Sequence, residues 1–196
     1  MPGILPREFY TRPAPEVAPA LLGCRLVRVL DGVRLSGIIA ETEAYQGEED
    51  LACHARSGRT PRTETMYGEG GHAYIYFTYG MHWLLNAVTC PAGKPAAVLI
   101  RALLPLEGEE LMRANRPNQC GTASWLNGPA KLVQALALDG RQNGTDLCDP
   151  AGGLFIENGC PVELARVRVG ARVGIQSVPE PWRSMPWRWT LFSELF

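Results

Sequence analysis

Two runs rich in apolar and β-branched residues, CRLVRVL and VRLSGIIA, meet at Asp31-Gly32. An Asp-Gly pair tolerates the left-handed backbone that a two-residue hairpin needs, so Cys24 to Ala40 reads as strand, turn, strand. An antiparallel pair is thereby fixed early in the chain, and the rest must be built around it. The second strand continues through ETEAY at 41–45. On an extended chain Glu41, Glu43 and Tyr45 share one face, and Thr42 and Ala44 share the other.

AYIYFTYGMHWLLNAVT (73–89) predicts a second hairpin, because its aromatic and β-branched content favours strands and Gly80 is the one breaker inside it. Tyr79-Gly80-Met81 then forms the tight turn. AAVLIRALLPL (96–106) reads as a buried strand carrying one charge, Arg101. Two helices are expected next. The segment 107–116 is polar, whereas 128–138 opens on Pro129 and carries an apolar stripe of Leu132, Val133 and Leu136. Residues 1–19 hold five prolines and read as an arm feeding a short helix that ends at Gly23. The tail alternates short strands and turns. A chain of 196 residues with 46% hydrophobic and 20% charged residues suits one mixed α/β domain spanning 1–196 and argues against disorder.

Composition also removes several kinds of protein. No apolar run approaches the roughly 20 residues that span a bilayer. The six cysteines, at 24, 53, 90, 120, 148 and 160, show none of the paired spacing of zinc sites or redox dithiols. Buried, reduced thiols are expected, and with no signal peptide read at the start the protein is expected to be soluble and cytoplasmic. The net charge of -1 weighs against nucleic acid as a partner, since phosphate binding usually accompanies a basic excess. That argument averages over faces.

Several positions carry chemistry, each beside a blander reading. A carboxylate next to an aromatic on one strand face, as in Glu43 and Tyr45, can be a general base beside a stacking platform; a solvated strand face is the alternative. Tyr79, at a tight turn with little to pack against, can wedge between base pairs, or belong to a contact patch between proteins. Arg101 must meet a carboxylate or a bound anion, because an unpaired buried guanidinium is costly. HARSGRTPR (54–62) offers Arg56, Arg59 and Arg62 with no acid among them, either to bind an anion or simply as a solvated loop. The glycine-rich YGEGGH lacks the context of a phosphate loop and reads as a turn before a strand. His54, His72 and His82 carry little metal signal.

Taken in order, LLGCRLVRVL, GIIAETEAYQGEEDLACHARSGRTPR, GHAYIYFTYGMHWLLN, AAVLIRALLPLEG and GPAKLVQALAL resemble the alkyladenine (3-methyladenine, or methylpurine) DNA glycosylase family nearly end to end, in its compact bacterial form. The resemblance implies an α+β domain with a curved, mainly antiparallel sheet, surrounding helices and a protruding hairpin. It implies an enzyme of base-excision repair that flips damaged purines out of double-stranded DNA and hydrolyses the glycosidic bond. Glu43 would activate the water and Arg101 would help to hold it. Tyr45, His54 and Tyr76 would sandwich the base, with Cys53, Asn86 and Leu99 completing the pocket. Asn86 would disfavour the exocyclic amine of guanine. Tyr79 would fill the hole in the duplex with Met81 beside it, and Arg56, Arg59, Thr60 and Arg62 would meet phosphates. No metal or cofactor is expected, and the protein would act as a monomer, at the nucleoid in a bacterial cell. Lys94 and Lys131 are the only lysines, and no motif brings either near Glu43, so no Schiff-base lyase is expected. Members commonly close with a phosphate-contacting run, whereas this chain closes with SELF, placing Glu194 there. A non-catalytic binder of distorted DNA or structured RNA, using the same hairpin, is the alternative.

Counted by segment, the charge argument changes. Residues 41–50 hold five acids and no base, so the remainder carries 19 bases against 15 acids. The near-neutral total conceals opposed patches.

Overall fold

A computed structural model describes residues 3–117 and 125–192. The Asp31-Gly32 hairpin forms as expected, with both residues in left-handed backbone at φ 50° and 79°. It joins β1 (Arg25–Leu30) to β2 (Val33–Gln46). β2 is the spine of the sheet. Its first half pairs with β1, Glu41, Thr42 and Glu43 on the same edge pair with β8 (Arg188–Leu191), and its other edge pairs along most of its length with β5 (Ala96–Glu107).

Beyond β5 lies the second hairpin, β3 (Ala73–Thr78) and β4 (His82–Thr89). β6 (Leu154–Glu157) closes the far edge against β1, and β7 (Val167–Gly170) pairs with β8. Every ladder among the described residues is antiparallel, in the order β3-β4-β5-β2-β1-β6 with β8 branching from β2. The sheet curls strongly, and register irregularities between β2 and β5 contribute to this. One of them matters for the site. Glu41 faces Ala102 and Thr42 faces Ile100, so Arg101 bulges out of the ladder between them.

In the proline-rich start the short helix expected before Gly23 is α2 (Ala14–Ala20), preceded by a further turn of helix, α1 (Arg7–Tyr10), and Tyr10, Ala14, Val17 and Ala18 are fully buried. Pro15 stands in the first turn of α2, where its missing N–H would have had no intrahelical partner anyway. α2 lies against β2, with the Thr42 hydroxyl donating to the Ala18 carbonyl at 2.8 Å. The outward set of the ETEAY strand, Thr42 and Ala44, thus enters the main core, which leaves Glu41, Glu43 and Tyr45 to the opposite face. Each fully buried Leu or Ile of that core, such as Leu35, Ile39 and Ile100, contributes about 1.5–3 kcal/mol.

The two helices expected after β5 are present but shorter than their polar and apolar patterns suggest. α3 covers Glu109–Ala114, because β5 runs on to Glu107 and Gly108 turns the chain at φ 72°. α4 covers Pro129–Ala135 and ends before Ala137, which is itself left-handed. The SELF terminus lies outside the described residues.

Candidate active site

The end of β2, the hairpin β3–β4, the middle of β5 and the loop 171–175 converge on one cavity of about 370 Å³. That is within the usual range for a small-molecule site, roughly 300–1,000 Å³. Its walls include Tyr45, His54, Tyr74, Tyr76, Asn86 and Leu99, and Arg101 and Val173 also line it.

Glu43 does not itself line the cavity: it is completely buried behind three residues that do, Tyr45, Arg101 and Val173. Its Oε1 accepts the Val173 backbone N–H at 2.7 Å. Its Oε2 accepts the Tyr45 hydroxyl at 2.8 Å and faces Arg101 Nη1 at 3.4 Å. Burial raises its pKa above the ordinary carboxylate value, while Arg101, the Val173 N–H and the Tyr45 hydroxyl pull the other way and neighbouring Glu41 adds to the rise. The result is a carboxylate short of water yet supplied with donors. Such a group is a stronger proton acceptor than a solvated one.

Arg101 is paired, as its isolation in an apolar strand requires, and with two acids rather than one. Its Nε donates to Glu41 at 3.0 Å, and Arg188 reaches the same Glu41 oxygen at 3.3 Å. Burial works against the Arg101 charge, but Glu43 and Glu41 outweigh it and hold its pKa above the usual value. The bulge in β5 makes this possible by turning the guanidinium toward β2.

His54 meets Tyr76 edge to face at 4.4 Å between centroids, and Tyr74 lies 5.3 Å from Tyr76. The His54 Nδ1 and the Tyr74 hydroxyl are 3.0 Å apart. Burial, aided by Arg62 and Arg56, lowers the His54 pKa to about 4, so the ring is neutral at physiological pH. Asn86 donates from Nδ2 to the Tyr74 carbonyl at 3.0 Å, which fixes its amide in the wall.

Cys53 departs from its expected place. It does not line the cavity but packs behind it with Ala55, Met66 and Tyr74, 1% exposed, and burial pushes its thiol up to about 12. The reason is its position just before the short 3-10 turn 54–57, which turns His54 into the cavity and Cys53 inward.

Tyr79 stands at the hairpin tip, 81% exposed, in left-handed backbone at φ 52°. Met81 beside it is 67% exposed. Arg56, Arg59 and Arg62 are all exposed on the neighbouring loop. They are not equivalent, because Glu64, just beyond that loop, grips Arg59 through two hydrogen bonds of 2.8 and 2.5 Å. Arg62 instead lies over the Tyr76 ring at 5.4 Å. Thr60 is engaged within its own turn, with its N–H donating to the Thr63 hydroxyl at 2.8 Å. A wider cleft of about 930 Å³ lies between the hairpin and α4, lined by Trp83, Lys131 and Arg141 among others, and Arg101 is not among its lining residues.

Sequence reasoning missed three participants. Tyr74 carried a signal, since it alternates with Tyr76 on one strand face. Glu41 did too, two residues from Glu43. The Val173 N–H had none, because a backbone donor leaves no mark on residue type. Among the described residues no cluster of three or more His, Cys, Asp or Glu could hold a metal ion, and no helix is long and apolar enough to cross a membrane.

An aromatic cavity thus adjoins a buried, donor-supplied carboxylate, and an exposed tyrosine stands at the hairpin tip beside it. The methylpurine-DNA glycosylase family model matches residues 8–194. A protein of Methanocella arvoryzae, named as a candidate 3-methyladenine DNA glycosylase, is 47% identical over 182 residues, covering 92% of this chain and 90% of its own. Like-named proteins of Carboxydothermus hydrogenoformans and Burkholderia lata are 46% and 44% identical, covering 96% of this chain and 95% and 87% of their own. The chain belongs to the methylpurine-DNA glycosylase family, whose members are DNA-repair glycosylases.

Proposed function

We propose that this protein excises 3-methyladenine and related damaged purines, of the 7-methylguanine, hypoxanthine and etheno-adenine class, from double-stranded DNA by direct hydrolysis. The observation that carries the reading is Glu43, wholly buried yet supplied with donors by Arg101, Val173 and Tyr45 beside an aromatic cavity.

The glycosidic bond is unreachable inside a duplex, so the damaged nucleotide is first extruded, at a cost of a few kcal/mol that falls for damaged or mispaired bases. Tyr79 offsets part of it by occupying the vacated stack, with Met81 beside it. The base enters between Tyr45, His54 and Tyr76, over Leu99. An alkylated purine with a positive ring gains about 0.5–2 kcal/mol from the tyrosine faces. The same charge weakens the bond to the sugar, since the purine leaves neutral; a neutral lesion such as hypoxanthine or etheno-adenine must instead take up a proton from an acid to leave as the neutral base. Glu43 takes a proton from water as the water oxygen bonds to the sugar carbon and the bond to the purine breaks, leaving an abasic site and a free base. Arg101, against Glu43 Oε2, favours the ionised carboxylate and opposes the effect of its burial. Asn86, with its amide fixed by the Tyr74 carbonyl, is a rigid part of the wall and disfavours the exocyclic amine of an undamaged guanine. Arg56 and Arg62 meet the phosphates, and Arg59 less so because Glu64 holds it.

A lyase step would need a lysine amine at the sugar. Lys131 lines the wider cleft and Lys94 sits in the turn before β5, so the reading is of a monofunctional enzyme, acting as a monomer on cytoplasmic DNA. The test is release of free 3-methyladenine from alkylated duplex by the purified protein, with intact abasic strands as the second product. Strand cleavage through a trapped imine would refute the monofunctional part. Tight binding of the damaged duplex with no base released would favour a non-catalytic binder.

A further inference from the structure

Asp50 and Arg172 form an ion pair whose two side chains are both fully buried. It is bidentate, Nη1 to Oδ2 at 2.5 Å and Nη2 to Oδ1 at 2.9 Å. The rest of the guanidinium is just as occupied. Nη1 also donates to the Ala44 carbonyl at 2.9 Å, and Nη2 to the Trp182 carbonyl at 3.2 Å. Its two ring contacts are Tyr45 at 4.8 Å and Trp187 at 5.1 Å. Asp50 in turn accepts the backbone N–H groups of Gln46 and Ala52.

Stability alone is a poor account of this pair. Two charges withdrawn from water recover little more than a well-packed apolar pair of the same volume would give. Here Nε of Arg172 is also buried without a hydrogen-bond partner, which adds to the cost. What a guanidinium supplies and an apolar side chain cannot is geometry in several directions at once. Those directions are telling. Ala44, whose carbonyl it grips, is the residue between Glu43 and Tyr45. Val173, the residue after Arg172, donates its N–H to Glu43. Tyr45, against which the guanidinium stacks, donates its hydroxyl to the other Glu43 oxygen.

We propose that Arg172, held by Asp50, is the positioning residue of this site: it fixes the Val173 N–H and the Tyr45 ring against Glu43, and base release depends on it although it touches no substrate. The inference rests on Glu43 being the general base. The groups facing Glu43 are Arg101 and Glu41 from the strands, the latter tied to Arg188, with the Tyr45 hydroxyl and the Val173 N–H. Loosening the last two removes donors to the carboxylate, so its pKa rises and the acid limb of the pH–rate profile moves to higher pH.

The test is the double variant Asp50→Leu/Arg172→Met, which removes both charges and keeps an apolar fill. The expected protein melts at or above the wild-type temperature, yet its single-turnover base release falls roughly 10- to 100-fold. The loss lies in kcat rather than KM, the acid limb shifts upward, and the Val173 amide exchanges faster by NMR. A folded double variant with the wild-type rate, pH profile and Val173 protection overturns the proposal. Should the double variant not fold, Asp50→Asn is read by the same rate and exchange measurements, with the same two outcomes. A wild type that releases no base refutes the glycosylase chemistry instead. Val173 exchange then decides the clamp by itself, faster exchange in the variants supporting it and unchanged exchange overturning it.

Discussion

The Tyr45 hydroxyl donates to Oε2 of Glu43 at 2.8 Å, so one side chain both walls the cavity and supplies a donor to the carboxylate buried behind it. The two duties separate chemically. Tyr45→Phe keeps the ring and loses the donor. We expect binding of the damaged duplex to stay near wild type while the acid limb of kcat moves to higher pH, because a carboxylate short of one donor holds its proton more tightly. Single-turnover release across the acid and neutral range measures it. An unmoved acid limb would mean that the hydroxyl does not act on Glu43.

The wedge is tested at the hairpin tip. Tyr79→Ala removes a ring that is 81% exposed and packs on little of the protein. Base stacking is worth about 1–3 kcal/mol, so the variant should lose that much affinity for a lesion in a duplex. The loss should shrink for the same lesion in single strands, where no hole needs filling. Equal losses on both substrates would assign Tyr79 to general contact rather than to flipping.

His54 sets a pH window for stability. Its pKa falls from an ordinary 6.5 to about 4 in the folded protein. Between those values the unfolded chain takes up a proton that the folded chain refuses, so this residue's contribution is intact above about pH 6.5 and is lost as pH falls toward 4. Denaturant titrations of wild type and His54→Gln should converge at the acid end of the window. NMR of the ring should show no titration near neutrality, and a midpoint there would remove the basis for treating His54 as a neutral stacking partner.

The basic loop should read out unevenly. Arg59 is held by Glu64, whereas Arg62 lies over Tyr76 and has no carboxylate at salt-bridge distance among the described residues. Each lost phosphate contact lowers the salt slope of binding by about 1. Arg62→Ala is therefore expected to reduce the slope by more than Arg59→Ala, in fluorescence titrations over a range of salt. The reverse order would place the phosphate path on the other side of the loop.

What the sequence discloses follows the range of the interactions involved. The Asp31-Gly32 and Tyr79-Gly80 hairpins are legible because turn backbone is set by neighbouring residues. The face shared by Glu41, Glu43 and Tyr45 follows from strand period alone. Arg101's need for a partner was also plain, but not that Glu41 and Glu43 share it, since this depends on a bulge between distant strands. The proline-rich start reads as an arm with a short helix, and its additional first turn α1 is not legible because prolines before a helical turn and in an extended chain give the same local signal. Asp50 and Arg172, 122 residues apart, show nothing in sequence beyond one acid in an acidic run and one arginine in a basic tail. Net charge misleads for a related reason, since a sum cannot show that five acids fall together at 41–50 and three arginines together at 54–62.

The central claim is that Glu43 is the general base. Single-turnover release of 3-methyladenine from alkylated duplex, compared between wild type and Glu43→Gln with duplex affinity measured alongside, tests it most directly. A positioned general base contributes about 10²–10⁴-fold, so the variant should bind the damaged duplex like wild type and release base slower by that factor. A Glu43→Gln protein that binds normally and releases base at the wild-type rate would contradict the account.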